Sequence, residues 1–199
     1  MARTGGAALR TGEFARARWS AVPMETRNLA DLYGLPPVDW SAVTARLDDP
    51  ITQAPGTGGP DRHTCWLTTL DADGAPHTTG VGAEWLDGSW WFETGRRTRK
   101  GRNLERDPRC TLAVALQEFD LVLSGTAEVV TDPAVVARLA ETWASGGWPC
   151  LVDESGTALT AEFSAPSAGK PPWHVYRITA TSAMVLATTG EGGATRFSF

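Results

Sequence analysis

From Thr78 to Leu104 the chain reads TTGVGAEWLDGSWWFETGRRTRKGRNL. Thr78–Leu86 has the composition of a strand, Asp87-Gly88 is a strong two-residue hairpin turn, and Ser89–Glu93 returns as a second strand. A dense cationic segment follows. Between Arg96 and Arg109 seven Lys or Arg side chains face only Glu105 and Asp107, a net charge of +5 in a chain whose total is −5. Such a cluster in an acidic protein implies an anion to hold. Its place between a strand and the helical pattern Arg99–Arg106 points to a ligand phosphate, because a helix N-terminus adds free amides and a favourable dipole.

Working outward, strands dominate. Cys65–Leu70 leads into Asp71-Ala72-Asp73-Gly74, a hairpin signal. Cys110–Leu116 and Leu121–Val130 form a second strand pair, and His174–Thr179 and Ala183–Thr188 two more strands. Asp132 and Pro133 begin a helix running to about Ser145, ended by Gly146-Gly147-Trp148-Pro149. Six or more antiparallel strands with short turns and few helices predict a mainly β fold, a small barrel. Ahead of it, residues 1–28 are rich in Ala, Arg and Gly and are expected to be a disordered tail. Residues 29–60 are expected to form an appendage, with a short helix at Trp40–Leu47 capped by Asp39 and a loop over Ala54–Pro60. The domain proper is then 61–199.

Composition excludes several classes. A pI near 5.2 and no aromatic ladder beside the basic segment argue against nucleic acid. No apolar run is long enough to span a membrane. Arg3 and Arg10 precede no apolar stretch of a secretory signal, so a cytoplasmic location is expected. Cys65, Cys110 and Cys150 form no close pair, and His63 and His174 lack partners, so no metal is expected, while His77 is a lone strand histidine that could contact a ligand but is more often structural. Nine Trp against two Tyr are assigned mostly to the core, with one or two as pocket walls.

In order along the chain stand Gly74-Ala75-Pro76, Phe92-Glu93-Thr94, Thr98-Arg99-Lys100 and Asp107-Pro108-Arg109. This series, from about Asp61 to Phe199, resembles the flavin-binding split-barrel family typified by the pyridoxamine 5′-phosphate oxidases. The resemblance implies a split β-barrel with a few flanking helices, a homodimer, and a bound FMN or deazaflavin coenzyme F-420. It implies that Arg99 and Lys100 hold the cofactor phosphate, with hydroxyls from Thr94 and Thr98, and that Thr79-Gly80-Val81-Gly82 runs along the ring. Gly80 and Gly82, on alternate positions, would let a flat ring approach the backbone, although a bulge or barrel corner explains them equally.

Three departures separate the chain from the family's true oxidases. Thr79 stands in place of their Arg, Glu84 in place of their Lys, and Asp120 where their Gln reaches the flavin of the other subunit. No cationic clasp for a phosphorylated substrate lies between Ala183 and Ala194. Pyridoxamine phosphate oxidation is therefore rejected. The pattern Lys100–Leu104 is similar to an actinobacterial branch that uses FMN or F-420, and Arg96, Arg97 and Arg102 suit the long acidic tail of F-420. The expectation is a flavin- or deazaflavin-dependent reductase delivering hydride to a small unsaturated substrate. Its alternative is a carrier or sensor without turnover, because Glu84, Glu93 and Asp120 are candidate proton donors only by position. Haem binding is disfavoured by the histidine contexts.

Overall fold

The computed structural model describes residues 25–51, 64–165 and 167–199. Strands β1 (Glu25–Asn28), β2 (Cys65–Leu70), β3 (Pro76–Val81), β4 (Glu84–Leu86) and β5 (Ser89–Thr94) precede β6 (Arg109–Ala115) and β7 (Phe119–Val130). The small pair β8 (Leu151–Val152) and β9 (Leu159–Thr160), then β10 (His174–Ala187) and β11 (Ala194–Ser198), complete the strands. Helices α1 (Trp40–Leu47), α2 (Arg99–Arg106) and α3 (Pro133–Ser145) flank them.

The turns account for the register. Gly74 takes φ 83°, closing β2 onto β3, and Asp87 and Gly88 both have positive φ, as a two-residue hairpin of β4 and β5 requires. The single strand expected over Thr78–Leu86 is instead two. β3 pairs with β2 while β4 pairs with β5, so the chain passes at Gly82-Ala83 from one half of the sheet to the other. That crossing wraps the order β3-β2-β6-β7-β10-β5-β4 into the split barrel. The two strands expected within 174–188 are one, interrupted by an irregularity between Ala180 and Ser182 opposite Gly125.

Each helix starts where a side chain caps it. Asp39 Oδ1 accepts from the Ser41 amide at 2.9 Å, and Asp132 Oδ1 from the Ala134 amide at 2.9 Å. Leu67, Trp90, Phe92, Leu121, Ile178 and Phe197 fill the barrel interior. Trp40, Val43 and Leu47 of α1 belong to that same core, and Asp48 accepts from Trp85 Nε1 at 2.9 Å. The short helix of the N-terminal appendage thus packs its apolar stripe into the barrel core. A second core lies between the outer side of β5 and β10 and α3, built on Trp91, Leu139, Trp143 and Trp173.

Four short strands, β1, β8, β9 and β11, have no counterpart among the strands expected from the sequence. β11 pairs with β10, and β1 pairs with β11 from Glu25 opposite Ser198 to Asn28 opposite Thr195. The disordered tail expected over 1–28 is thus corrected at residues 25–28, where β11 supplies an edge to pair with. The remainder of that tail, the loop over 54–60 and His63 lie outside the described residues.

Candidate functional site

The start of α2 is shaped by backbone contacts that only small residues allow. After Thr94 ends β5, a Cβ on Gly101 would lie 2.5 Å from the Gly95 carbonyl oxygen. Thr98 is the N-cap: its Oγ1 accepts from the Gly101 amide at 3.1 Å and donates to the Gly95 carbonyl at 2.8 Å. Thr94 Oγ1 lies 3.0 Å from it. The hydroxyl expected to meet a phosphate is therefore spent on the cap. The helical ladder begins with the Arg102 amide on the Thr98 carbonyl at 3.0 Å, so the Arg99 and Lys100 amides precede it. Those two amides and the helix dipole would make a seat for an anion.

The cations around the seat divide into two groups. Arg99 donates through Nε to Asp71 Oδ1 at 2.9 Å and through Nη2 to Asp71 Oδ2. Asn103 Nδ2 joins the same Asp71 oxygen at 3.0 Å and Thr69 Oγ1 at 3.1 Å, so the β2–β3 turn and α2 are tied together. Lys100 is buried, and its Nζ donates to the Ser167 carbonyl. Arg102, Arg106 and Arg109 are engaged with the Arg97 carbonyl, the Leu70 carbonyl and Asp107. Among the described residues Arg96 and Arg97 are exposed and their guanidinium groups make no hydrogen bond or ion pair. Lys170, also exposed, joins them from a segment the sequence reading did not connect with the site.

That segment straps the start of α2. Ala168 O accepts from the Gly95 amide at 3.1 Å, and a Cβ on Gly169 would sit 3.5 Å from Thr98 Cγ2. Trp173 Nε1 anchors the strap on Gly169 O at 2.9 Å. Its run Gly169-Lys170-Pro171-Pro172 carries no helix or strand pattern. Some seventy residues separate it from α2, so local pattern could not reveal the contact.

Asp71 has its carboxyl pulled down from 3.8 to about 2, chiefly by the hydrogen bonds from Arg99 and Asn103. A depressed carboxylate contributes stability that is present above its ordinary value and lost as pH falls towards about 2. Asp71→Asn is accordingly expected to flatten the fall in Tm across that acid window. Calorimetric melts of both proteins check it, and parallel Tm–pH curves would refute the tie.

The other expected residues are more dispersed. Thr79 and Val81 stand opposite Leu67 and Cys65 and face inward, whereas Gly80 stands opposite Trp66 on the outer face. A Cβ on Gly80 would meet Thr64 Cγ2 at 3.2 Å, while at Gly82 it would meet nothing within 4 Å. The backbone is thus open at Gly82. Asp120 is not brought to the seat by its own chain. It pairs with Ala115, five residues along β6 from Cys110, which faces the tethering Thr69, a separation of roughly 17 Å. Glu93 lines up with the far end of β7, roughly 30 Å from Asp120, so these two candidate proton donors do not gather. Glu93 is buried, with burial pushing its carboxyl up to about 8 and Lys100 opposing that shift. A concavity of ≈ 430 Å³ on the outer face is lined by Thr68, Thr111, Ser124, Thr126, Thr181 and Arg109 among others. His174, opposite Thr94, has a buried Nδ1 without a partner among the described residues. Among those residues no helix is long and apolar enough to cross a membrane.

Comparison with known proteins follows the same lines. Residues 59–181, well over half of the chain, match the family described as pyridoxamine 5′-phosphate oxidase. No curated protein matches. Among solved structures, a NimC/NimA family protein from Clostridium acetobutylicum is 12% identical with TM-score 0.52, over 78% of this chain and 90% of that one. The conserved hypothetical protein Rv2991 from Mycobacterium tuberculosis is 21% identical with TM-score 0.52, over 74% and 84%. A protein described as an F420 reductase aligns more loosely, at 16% identity and TM-score 0.46, over 74% and 98%. At such identities the likeness extends to the fold alone.

Proposed function

The chain belongs to the pyridoxamine 5′-phosphate oxidase family, and from that premise we propose that it is a reductase holding FMN or coenzyme F-420 with the cofactor phosphate at the start of α2. The observation that carries this reading is the capped first turn, where the Arg99 and Lys100 amides stand outside the ladder beside unpaired Arg96 and Arg97. The residues fit the group. Two amides and the helix dipole would meet the phosphate, the guanidinium groups would neutralise its charge, and the open backbone at Gly82 would leave room for a planar ring. Arg96, Arg97 and Lys170 are exposed cations that would suit a polyanionic tail, which favours F-420 over FMN.

When bound and reduced, the cofactor supplies hydride to an electrophilic carbon of a small unsaturated substrate. The protein positions, neutralises and excludes water. Glu93, enclosed behind the seat, has no path to such a substrate. Thr79, Glu84 and Asp120 stand where the true oxidases place Arg, Lys and Gln, so oxidation of pyridoxamine phosphate forms no part of this reading.

A homodimer completes it. Gly80, Trp66, Ala113, Val122 and Met184 form one cross-strand row on the outer face, with Trp66 53% and Met184 37% exposed. A second copy on that row would bury the apolar stripe and bring its own Asp120 towards the ring. Trp66→Glu with Met184→Glu is expected to sediment as a monomer where the wild type sediments as a dimer. A dimeric double variant would refute this interface.

The test of function is a titration of purified protein with FMN and, separately, with F-420, followed by tryptophan quenching. Saturable binding of either supports the proposal, and binding of neither contradicts it. A carrier or sensor would bind equally well, but would leave reduced cofactor unoxidised in the presence of unsaturated substrates.

A further inference from the structure

Beside the start of α2 two buried ionisable side chains act on each other's charge. Glu93, near the end of β5, is 8% exposed, and Lys100, in the first turn of α2, is 2% exposed. Lys100 Nζ donates to the Ser167 carbonyl of the strap, and Glu93 Oε2 has no partner among the described residues. The groups facing Glu93 are few. From α2 comes Lys100; from the segment after α3 comes the Cys150 thiol, pushed up to about 11 by burial and, to a smaller degree, by Glu93. From β10 the residue opposite is Val175, which is apolar. Cys150 remains a thiol at neutral pH, so Lys100 and Glu93 are the two groups that can exchange charge here.

A buried ammonium needs either a counter-charge or enough donors and acceptors to replace water. Lys100 has one carbonyl as its hydrogen-bond partner, and the Glu93 carboxyl acts on it through charge without an ion pair among the described residues. If that carboxyl is ionised, Lys100 is held inward by a full opposite charge; if it is neutral, only the carbonyl holds it, and an anion on the adjacent amides competes for it. We propose that Glu93 is a positioning residue that decides whether Lys100 serves the anion at the start of α2, releasing it when protonated and retaining it when ionised. The proposal rests on the reading of α2 as the phosphate seat and adds a coupling: one proton is taken up by Glu93 for each anion that draws Lys100 outward. No covalent step is involved.

The sign follows. An anion beside Lys100 favours protonated Glu93, so affinity is full below the Glu93 midpoint and falls as pH rises through it, near about 8. At the limit of strict coupling the fall is about tenfold per pH unit. Lys100 titrates in the same direction, since burial lowers its value, and the variant Glu93→Gln separates the two. In Glu93→Gln no carboxylate forms, so any remaining pH dependence belongs to Lys100.

FMN and F-420, whose phosphates stay ionised in this range, are to be titrated into wild type and Glu93→Gln at intervals between about pH 7 and pH 9.5. The expected result is a wild-type affinity that breaks near about pH 8 and a variant that lacks that break. A variant with the wild-type profile, or a wild type that binds independently of pH, overturns the proposal and leaves the phosphate seat standing. Binding of neither cofactor at any pH overturns the seat and the coupling together. A second readout does not depend on the variant: the carboxyl ¹³C resonance of Glu93, titrated with and without cofactor. Its midpoint is expected to move upward on binding, and an unmoved midpoint overturns the coupling.

Discussion

Gly125→Val is expected to unfold the barrel seam between β7 and β10, with a loss of about 3 kcal/mol or more. Gly125 lies opposite Ala180, beside the irregularity that shifts the register towards Ser182. A Cβ there would stand 2.1 Å from the Thr179 carbonyl oxygen and 2.9 Å from the Ala180 Cα. Both are backbone atoms of the longest strand, which is also hydrogen-bonded to β5 and β11, so neither can retreat without parting a ladder. Chemical denaturation of wild type and variant measures the loss. A variant within about 1 kcal/mol of wild type would mean that β10 carries no tight crossing there.

The second large effect concerns binding. Arg99→Ala combined with Lys100→Met is expected to weaken cofactor affinity by about 3 to 5 kcal/mol, roughly a hundredfold to several thousandfold. Methionine keeps most of the buried Lys100 stem, so the second core is not opened. Arg99 holds Asp71 with one edge of its fork and has donors left for an anion, while Lys100 reaches the seat only by leaving Ser167. Isothermal titration checks the effect. An unchanged affinity would assign the phosphate to Arg96, Arg97 and Lys170 instead.

How much of this was legible depends on where each partner lies along the chain. Helices α1 and α3 were readable nearly to the residue because Asp39 and Asp132 cap amides two positions away, and α2 was readable from its helical pattern over Arg99–Arg106. The hairpins at Asp71–Gly74 and Asp87-Gly88 were equally local. Beyond that range the pattern gave way. β1 has no alternating apolar face and exists because β11 offers it an edge, so no local signal marks it. Ala180-Thr181-Ser182 reads as a turn, and only the pairing with β7 makes it a kink within one strand.

At the site, the residues of the clasp were identified but their states were not. Thr98 turns its hydroxyl to the cap, Arg99 reaches back to Asp71, and Lys100 turns to the strap at Ser167. Asp71 is separated from α2 by the three strands β3, β4 and β5, and Ser167 by β6, β7, α3 and the β8–β9 hairpin. Glu93 illustrates the same limit. In sequence it is one more strand carboxylate, and only the strap and α3 make it a buried acid facing Lys100.

The central claim is the phosphate seat, and a crystal structure of the protein grown with its tighter-binding cofactor tests it most directly. The account predicts phosphate oxygens within hydrogen-bond distance of the Arg99 and Lys100 amides, with Lys100 Nζ turned away from Ser167. A phosphate in the outer-face concavity beside Arg109, or anywhere remote from the first turn of α2, would contradict it.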